Sequence, residues 1–273
     1  MIRKGEVRVN GGRIKSMYKL KGGDQLRVPP VTIEAESDKP SINLSKVQSL
    51  EEQIIYESNR VLLLNKPSGI AVHGGSGLSF GVIEALRSLR PDAHYLELVH
   101  RLDKETSGCL LIAKKRSALR FLHEQLRGHS MEKKYLALVE GQWPADLRQV
   151  DLPLGKAHLK SGERISKVSN DGKPSKTRYE LKQSFSQCSL VEAMPVTGRT
   201  HQIRVHCAES GHPICGDDRY NPNNQAGLDK RLYLHAHQLT FQEQPDGPVL
   251  TLGAPLDDIW NETLNSLEST NNL

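Results

Sequence analysis

The chain has 273 residues, 37% of them apolar and 25% charged, with 37 lysines and arginines against 32 aspartates and glutamates. That length allows one large domain or two small ones, and the balance is ordinary for a folded soluble protein. No apolar run is longer than a strand, so none can span a bilayer, and the start Met1-Ile2-Arg3-Lys4-Gly5 lacks the apolar segment of a secretion signal.

The excess of positive charge lies at the beginning. Residues 1–30 hold eight basic side chains, among them Arg3, Lys4, Arg8 and Arg13, against Glu6 and Asp24. Residues 31–273 are left with a net charge of −1. Charge gathered in one small segment points to a phosphate-rich partner, whereas an even spread would mean only solubility. Glu6 to Ile14 alternates apolar and polar residues around Asn10-Gly11, which predicts a hairpin, and Asp24–Val28 predicts a third short strand closed by Pro29 and Pro30. Residues 31–53 are polar and without period, as in a linker.

From Ile54 onward the pattern is that of one α/β body. Strands are expected over Arg60–Asn65, Cys109–Lys114, Lys134–Val139, Thr177–Lys182, Ser189–Ala193, Leu232–Phe241 and Val249–Leu252, all rich in β-branched, leucine and tyrosine residues. A helix over Val82–Leu89 stops before Pro91. A second runs from Ala118 to Arg127, with Ser117 as N-cap and Gly128 at its end. A third is expected over Thr200–Ser210, with Ile203, Cys207 and Ser210 on one side. Cys109, Cys188, Cys207 and Cys215 form no C-x-x-C pair. They are expected as small buried groups in a reducing, cytoplasmic protein.

The most informative segment is His100-Arg101-Leu102-Asp103-Lys104-Glu105-Thr106-Ser107-Gly108. It follows the apolar stretch Tyr95–Val99 and runs into the block Gly108–Ala113. A carboxylate on a tight connection between buried strands is rigidly held and can still face a cleft. By itself, His-Arg-Leu-Asp is equally a surface turn with solvated charges.

With this run stand Asn65-Lys66-Pro67-Ser68-Gly69-Ile70-Ala71-Val72-His73-Gly74-Gly75, Lys133-Lys134-Tyr135-Leu136-Ala137-Leu138-Val139, Gly198-Arg199-Thr200-His201-Gln202-Ile203-Arg204-Val205-His206 and Leu234-His235-Ala236. In order and spacing the set resembles the RluA-type family of RNA pseudouridine synthases. The resemblance implies an α/β (α+β type) fold, with a mixed, mainly antiparallel central sheet flanked by helices. It also implies a cofactor-independent isomerase that detaches the uracil of a uridine, turns it over and rejoins it through C5. Large-subunit ribosomal RNA is the expected substrate and partner, with transfer RNA the alternative. The default expectation is a monomer with no bound metal.

The family match makes Asp103 the nucleophile. One carboxylate suffices where glycosidases use two, because a uracil anion is a tolerable leaving group. Arg204 falls in the position of a basic partner that orients the aspartate and favours its charged form. Tyr135 falls in the position of a tyrosine that stacks on the extruded uracil, its hydroxyl guiding proton removal at C5. Arg101 is assigned to RNA beside the extruded nucleotide, with a loop-holding salt bridge the rival role. Leu234 is assigned to the apolar wall of the uracil pocket, and a core leucine is the alternative. His100 and Thr106 are expected to fix the turn rather than to react. The basic hairpin resembles the second half of an S4-type RNA-binding domain whose first helical half is missing, and Arg3, Lys4, Arg8 and Arg13 are its expected RNA contacts. The organisation expected is thus a truncated S4-like segment (1–30), a linker (31–53), a catalytic domain (54–265) and a C-terminal tail (266–273). Asp217-Asp218-Arg219-Tyr220-Asn221 departs from the family, which commonly has glycine after the tyrosine, and is expected to be a local loop change.

Two rivals are weaker. His235 and His237 share a strand face, as metal ligands do, but no H-E-x-x-H or comparable spacing accompanies them. Gly74-Gly75-Ser76-Gly77 lacks the lysine of a nucleotide-binding loop. A non-catalytic RNA-binding protein of the same fold is the stronger alternative, opposed by the joint presence of Asp103, Tyr135 and Arg204.

Overall fold

The computed structural model describes residues 6–15, 17–30, 49–74, 81–158, 164–224, 226–228 and 231–271. The chain divides into two units, Met1–Ile42 and Asn43–Leu273. In the first, β1 (Arg8–Val9) pairs antiparallel with β2 (Gly12–Arg13) and with β3 (Leu26–Arg27). Asn10 and Gly11 form the two-residue connection, with φ of 49° and 78°. Positive φ at both positions matches the right-handed twist of the flanking strands, and Asn-Gly tolerates it best. Arg8 lies opposite Arg13 on one side and Arg27 on the other. Arg3 and Lys4 lie outside the described residues, as does most of the stretch expected as a linker; residues 49–52 at its end are helical.

The second unit is built on a ten-stranded sheet. Its strands are β4 (Ile54–Glu57), β5 (Val61–Lys66), β6 (Glu97–Leu98), β7 (Ser107–Ala113), β8 (Glu132–Glu140), β9 (Gln149–Asp151), β12 (Lys176–Ser184), β13 (Cys188–Pro195), β14 (Leu234–Gln242) and β15 (Val249–Gly253). Between β9 and β12 a separate hairpin is formed by β10 (Leu154–His158) and β11 (Arg164–Val168). The order across the sheet is β4-β5-β7-β14-β8-β13-β12-β9, with β6 on β7 and β15 on β14. Pairing is antiparallel except between β7 and β14, which run parallel through Ser107↔His235 and Gly108↔Ala236. That single parallel contact brings the start of β7, and so the Asp103 loop, beside the start of β14 and Leu234.

All seven residues of β7 and the run Val61–Leu64 of β5 are buried. Strands covered on both faces lose the alternating pattern and become continuous apolar blocks. Helices α1 (Val82–Leu89), α2 (Arg116–Arg127), α3 (Gln202–Glu209) and α4 (Asp258–Asn271) complete the unit. α2 packs on β7 and β14, and α3 lies among β11, β12 and β13. The four cysteines are free and buried.

Several expectations are corrected. α2 begins at Arg116 with Lys115 at its N-cap and no side-chain cap, so Ser117 lies inside the helix. α3 begins two residues later than expected, because His201 at its N-cap is left-handed, with φ of 53°. Its residues Gln202–Cys207 are all buried, leaving no solvent face along that stretch. Helix α4 was not expected, and residues 266–271, read as tail, are its last turns. It is anchored by Trp260, fully buried and edge-on to Tyr233 at 5.1 Å. β4, β9, β10 and β11 were also missed; the last three are polar and carry no strand alternation.

Candidate active site

The Asp103 loop is held from two directions. On one side the Val99 N–H donates to Leu111 O and the Leu111 N–H donates to His100 Nε2, so His100 is locked to β7. That lone pair is therefore occupied, and burial, with Lys133 nearby, pushes the His100 pKa down to about 4. On the other side Lys66, at the end of β5, is fully buried. Its ammonium donates to the carbonyls of Pro67 (2.8 Å), Ile70 (2.9 Å) and Lys104 (2.9 Å). Burial lowers the Lys66 pKa to about 7, against the opposing charges of Glu105 and Asp103. The Gly69 N–H donates to Lys104 O and the Ser68 hydroxyl to Glu105 O. The Thr106 N–H closes the turn onto Asp103 O at 3.2 Å. The loop ends at Gly108, whose φ is +104° and where a Cβ would sit 2.3 Å from Ala236 O. Only glycine lets the loop enter the sheet this close to β14.

The carboxylate of Asp103 is 28% exposed and faces a second cluster. Arg204 Nη1 lies 3.5 Å from Asp103 Oδ2. Arg204 is itself held by Asp217, to which Nε donates at 2.7 Å and Nη2 at 2.6 Å. Burial opposes the charge of Arg204, but the bonds and charge of Asp217 outweigh it and its pKa is raised. Asp217 also accepts the N–H groups of Arg219 and Tyr220 through Oδ1. Gly216 precedes it with φ of +69°, and a Cβ there would collide with Arg231 O. His201 Nε2 is 3.7 Å from Asp103 Oδ2, and burial lowers its pKa despite the attraction of Asp103.

Tyr135 stands on β8 directly opposite Ala193 of β13 and Ala236 of β14. Residues in register across strands share a face, so the smallest side chains flank the ring and leave open space beside it. Its pKa is raised by burial and by the charge of Asp103, so the phenol keeps its proton. Asp103, Arg204, Tyr135, Leu234 and Arg101 line one cleft of about 600 Å³. Leu234 is 3% exposed, so it is both cleft wall and core residue. Among the described residues that line this cleft are five lysine or arginine side chains, Arg101, Arg127, Lys133, Arg199 and Arg204, and one carboxylate, Asp103; the exposed Asp218 reaches the same guanidinium from outside the lining, 3.6 Å from Arg204 Nη2. Arg8 and Arg13 belong to the first unit.

Sequence reasoning missed Asp217, His201, Tyr220 and Lys66. The segment holding Asp217 and Tyr220 is expected above as a loop change; two acids directly after the apolar pair Ile214-Cys215 and Gly216 were the available signal. His235 Nδ1 meets the Ser107 hydroxyl and Nε2 meets Ala254 O, so both ring nitrogens are engaged. Among the described residues no group of three or more His, Cys, Asp or Glu is placed to hold a metal, and no helix is long and apolar enough to cross a membrane.

A family model described as RNA pseudouridylate synthase matches residues 60–209. A ribosomal large subunit pseudouridine synthase C of Pasteurella multocida (strain Pm70) is 56% identical over 274 residues, covering 98% of this chain and 84% of that protein. The protein of that name from Escherichia coli (strain K12) is 54% identical over 277 residues, covering 98% and 87%. Among solved structures, human RNA pseudouridylate synthase domain containing 4 aligns with a TM-score of 0.67 at 26% identity, covering 82% of this chain and 96% of that one.

Proposed function

The chain belongs to the RNA pseudouridylate synthase family, and from that premise we propose that Asp103 is the nucleophile of a uridine isomerisation in large-subunit ribosomal RNA. The enzyme is a pseudouridine synthase, an isomerase acting on RNA. In the reaction the N1–C1′ bond breaks and the C5–C1′ bond forms. The hydrogen on C5 leaves as a proton and N1 gains one, so no oxidant or cofactor enters the balance.

One observation carries the assignment of Asp103. Among the described lining residues it is the carboxylate of a cationic cleft, 3.5 Å from a buried guanidinium that is itself held by Asp217. Arg204 orients the carboxylate without being free to swing away. Tyr135 receives the extruded uracil. Extrusion costs a few kcal/mol and stacking on the ring returns about 1–3 kcal/mol. The Tyr135 hydroxyl guides removal of the proton from C5. Leu234 forms the apolar wall, and Arg101, exposed at the cleft, contacts RNA next to the vacated stack. The first unit, with Arg8, Arg13 and Arg27 in register across three strands, serves as a second RNA contact of S4-like type. Like charges directly opposite one another are unfavourable without an anion between them, which supports a phosphate partner. The four free cysteines support a reducing cytoplasm, and the protein is taken to act as a monomer.

The test is Asp103→Asn in the full chain. Pseudouridine formation is read as tritium release from transcribed large-subunit ribosomal RNA labelled at uridine C5, and RNA affinity by filter binding. Turnover is expected to vanish while affinity stays within about threefold. Undiminished turnover by the variant would refute the assignment.

A further inference from the structure

We propose that Tyr220 is a positioning residue that holds both neighbours of Asp103, His201 and Arg204, and ties them to the β10–β11 hairpin. The inference rests on the isomerase reading above and adds to it a part for a residue that cannot itself be the nucleophile.

The side chain of Tyr220 has three separate attachments. Its hydroxyl donates to Ser166 O at 3.1 Å and accepts the Ser166 N–H at 3.1 Å, clasping the backbone of β11. The same oxygen lies 2.8 Å from His201 Nδ1. Its ring lies beneath the Arg204 guanidinium at 5.2 Å and meets the His201 ring edge-on at 5.7 Å. The Tyr220 N–H is fixed to Asp217, the carboxylate that grips Arg204.

These bonds settle the state of His201. Arg219 Nη1 lies 3.2 Å from His201 Nε2 and can only donate, so Nε2 is an acceptor. The neutral ring then carries its proton on Nδ1, where the Tyr220 oxygen receives it, while the tyrosine proton goes to Ser166 O. Every atom of the chain is satisfied in one direction only. An imidazole fixed in this tautomer 3.7 Å from Asp103 Oδ2 offers the carboxylate no proton and leaves it free for the substrate. His201 also holds a left-handed backbone, φ 53°, at the N-cap of α3. Non-glycine residues keep such a conformation only where surrounding contacts impose it. The Tyr220 hydroxyl is such a contact.

The hairpin gains from the same link. A two-stranded ribbon is barely stable alone, and this one presents exposed Lys156 and Lys167 around the clasped Ser166. Tyr220 therefore places a cationic ribbon and the neighbours of the nucleophile in one bonded network.

The experiment uses the full chain and the same C5-tritiated large-subunit ribosomal RNA, with Tyr220→Phe, His201→Asn and the double variant. Tyr220→Phe keeps the ring under Arg204 and removes the bond to His201. It is expected to lower kcat about tenfold with KM within about twofold. If Tyr220 acts through His201, the losses do not multiply, and the double variant turns over no more slowly than His201→Asn. Wild-type kcat in Tyr220→Phe, or multiplied losses in the double variant, would overturn the proposal. An independent reading comes from imidazole nitrogen NMR shifts of the unaltered protein at neutral pH. A proton on Nδ1 and a bare Nε2 are expected for His201; the opposite tautomer or an imidazolium would also overturn it. Absence of tritium release by the unaltered enzyme would instead defeat the isomerase reading, and the NMR result would still decide the tautomer.

Discussion

Asp217→Asn tests how the cationic partner of Asp103 is held. The Asp217 side chain is wholly buried, so it cannot touch RNA, and any effect of the change must travel through its partners, Arg204 above all. Two charge-assisted bonds of 2.7 and 2.6 Å join the pair. At an effective dielectric of about 20, charges centred ~3.5 Å apart attract by about 5 kcal/mol before desolvation. Asparagine keeps an oxygen for the N–H groups of Arg219 and Tyr220, but its amide nitrogen then faces a guanidinium donor. Removing one partner of a buried pair costs about 3–5 kcal/mol. At about 2–4 °C per kcal/mol for a unit of this size, the melting temperature should fall by roughly 10 °C. Arg204, losing its main anion, should close on Asp103 and tie up the carboxylate, lowering kcat about tenfold. Thermal melts followed by circular dichroism, together with tritium release, measure both. The double variant Asp217→Asn/Arg204→Met should regain much of the lost stability and remain inactive. A melting temperature within about 3 °C of the original and unchanged kcat in Asp217→Asn would refute the reasoning.

Three other outcomes are expected. Gly108→Ala adds a Cβ 2.3 Å from the Ala236 carbonyl in a backbone of positive φ, so the β7–β14 contact must part; the variant should yield little soluble protein, and a normal melt would contradict this. His100 and His235 are both held neutral, with pKa values pushed down to about 4 by burial. The unfolded chain binds these protons first, near pH 6.5, so stability is full above that pH and declines as pH falls toward 4, by about 2–3 kcal/mol for each group; urea midpoints that stay flat over this window would exclude it. If about three of the five cleft cations meet phosphates of single-stranded RNA, raising salt from ~50 to ~200 mM should weaken binding about twentyfold, and salt-independent filter binding would remove the phosphate-binding role.

The loop that carries Asp103 was legible because its requirements are local. The charged run ending in Gly108, between two apolar blocks, marks a tight loop between strands, since a chain that turns so sharply beside buried strands needs glycine where no Cβ fits. Strand β7 and helix α1 announced themselves through continuous burial and a 3.6-residue period. The hairpin β10–β11 did not, since bonds such as Ser166 to Tyr220 leave no periodic apolar pattern. Helix α4 did carry one, Trp260, Leu264 and Leu267 at i, i+4 and i+7 against the core, and it was overlooked.

Composition and short-range pattern therefore determined the apolar strands of the sheet and the basic first unit, and the resemblance of five short segments to a known family singled out the candidate site residues. Tertiary structure alone decided which of them meet. Asp103, Tyr135 and Arg204 are separated by 32 and 69 residues along the chain, and it is the parallel seam of β7 on β14 with β8 alongside that gathers them. Asp217 and Tyr220 resembled a divergent loop because nothing adjacent in sequence shows what a carboxylate grips. A buried arginine needs a partner, and the partner is chosen by proximity in space.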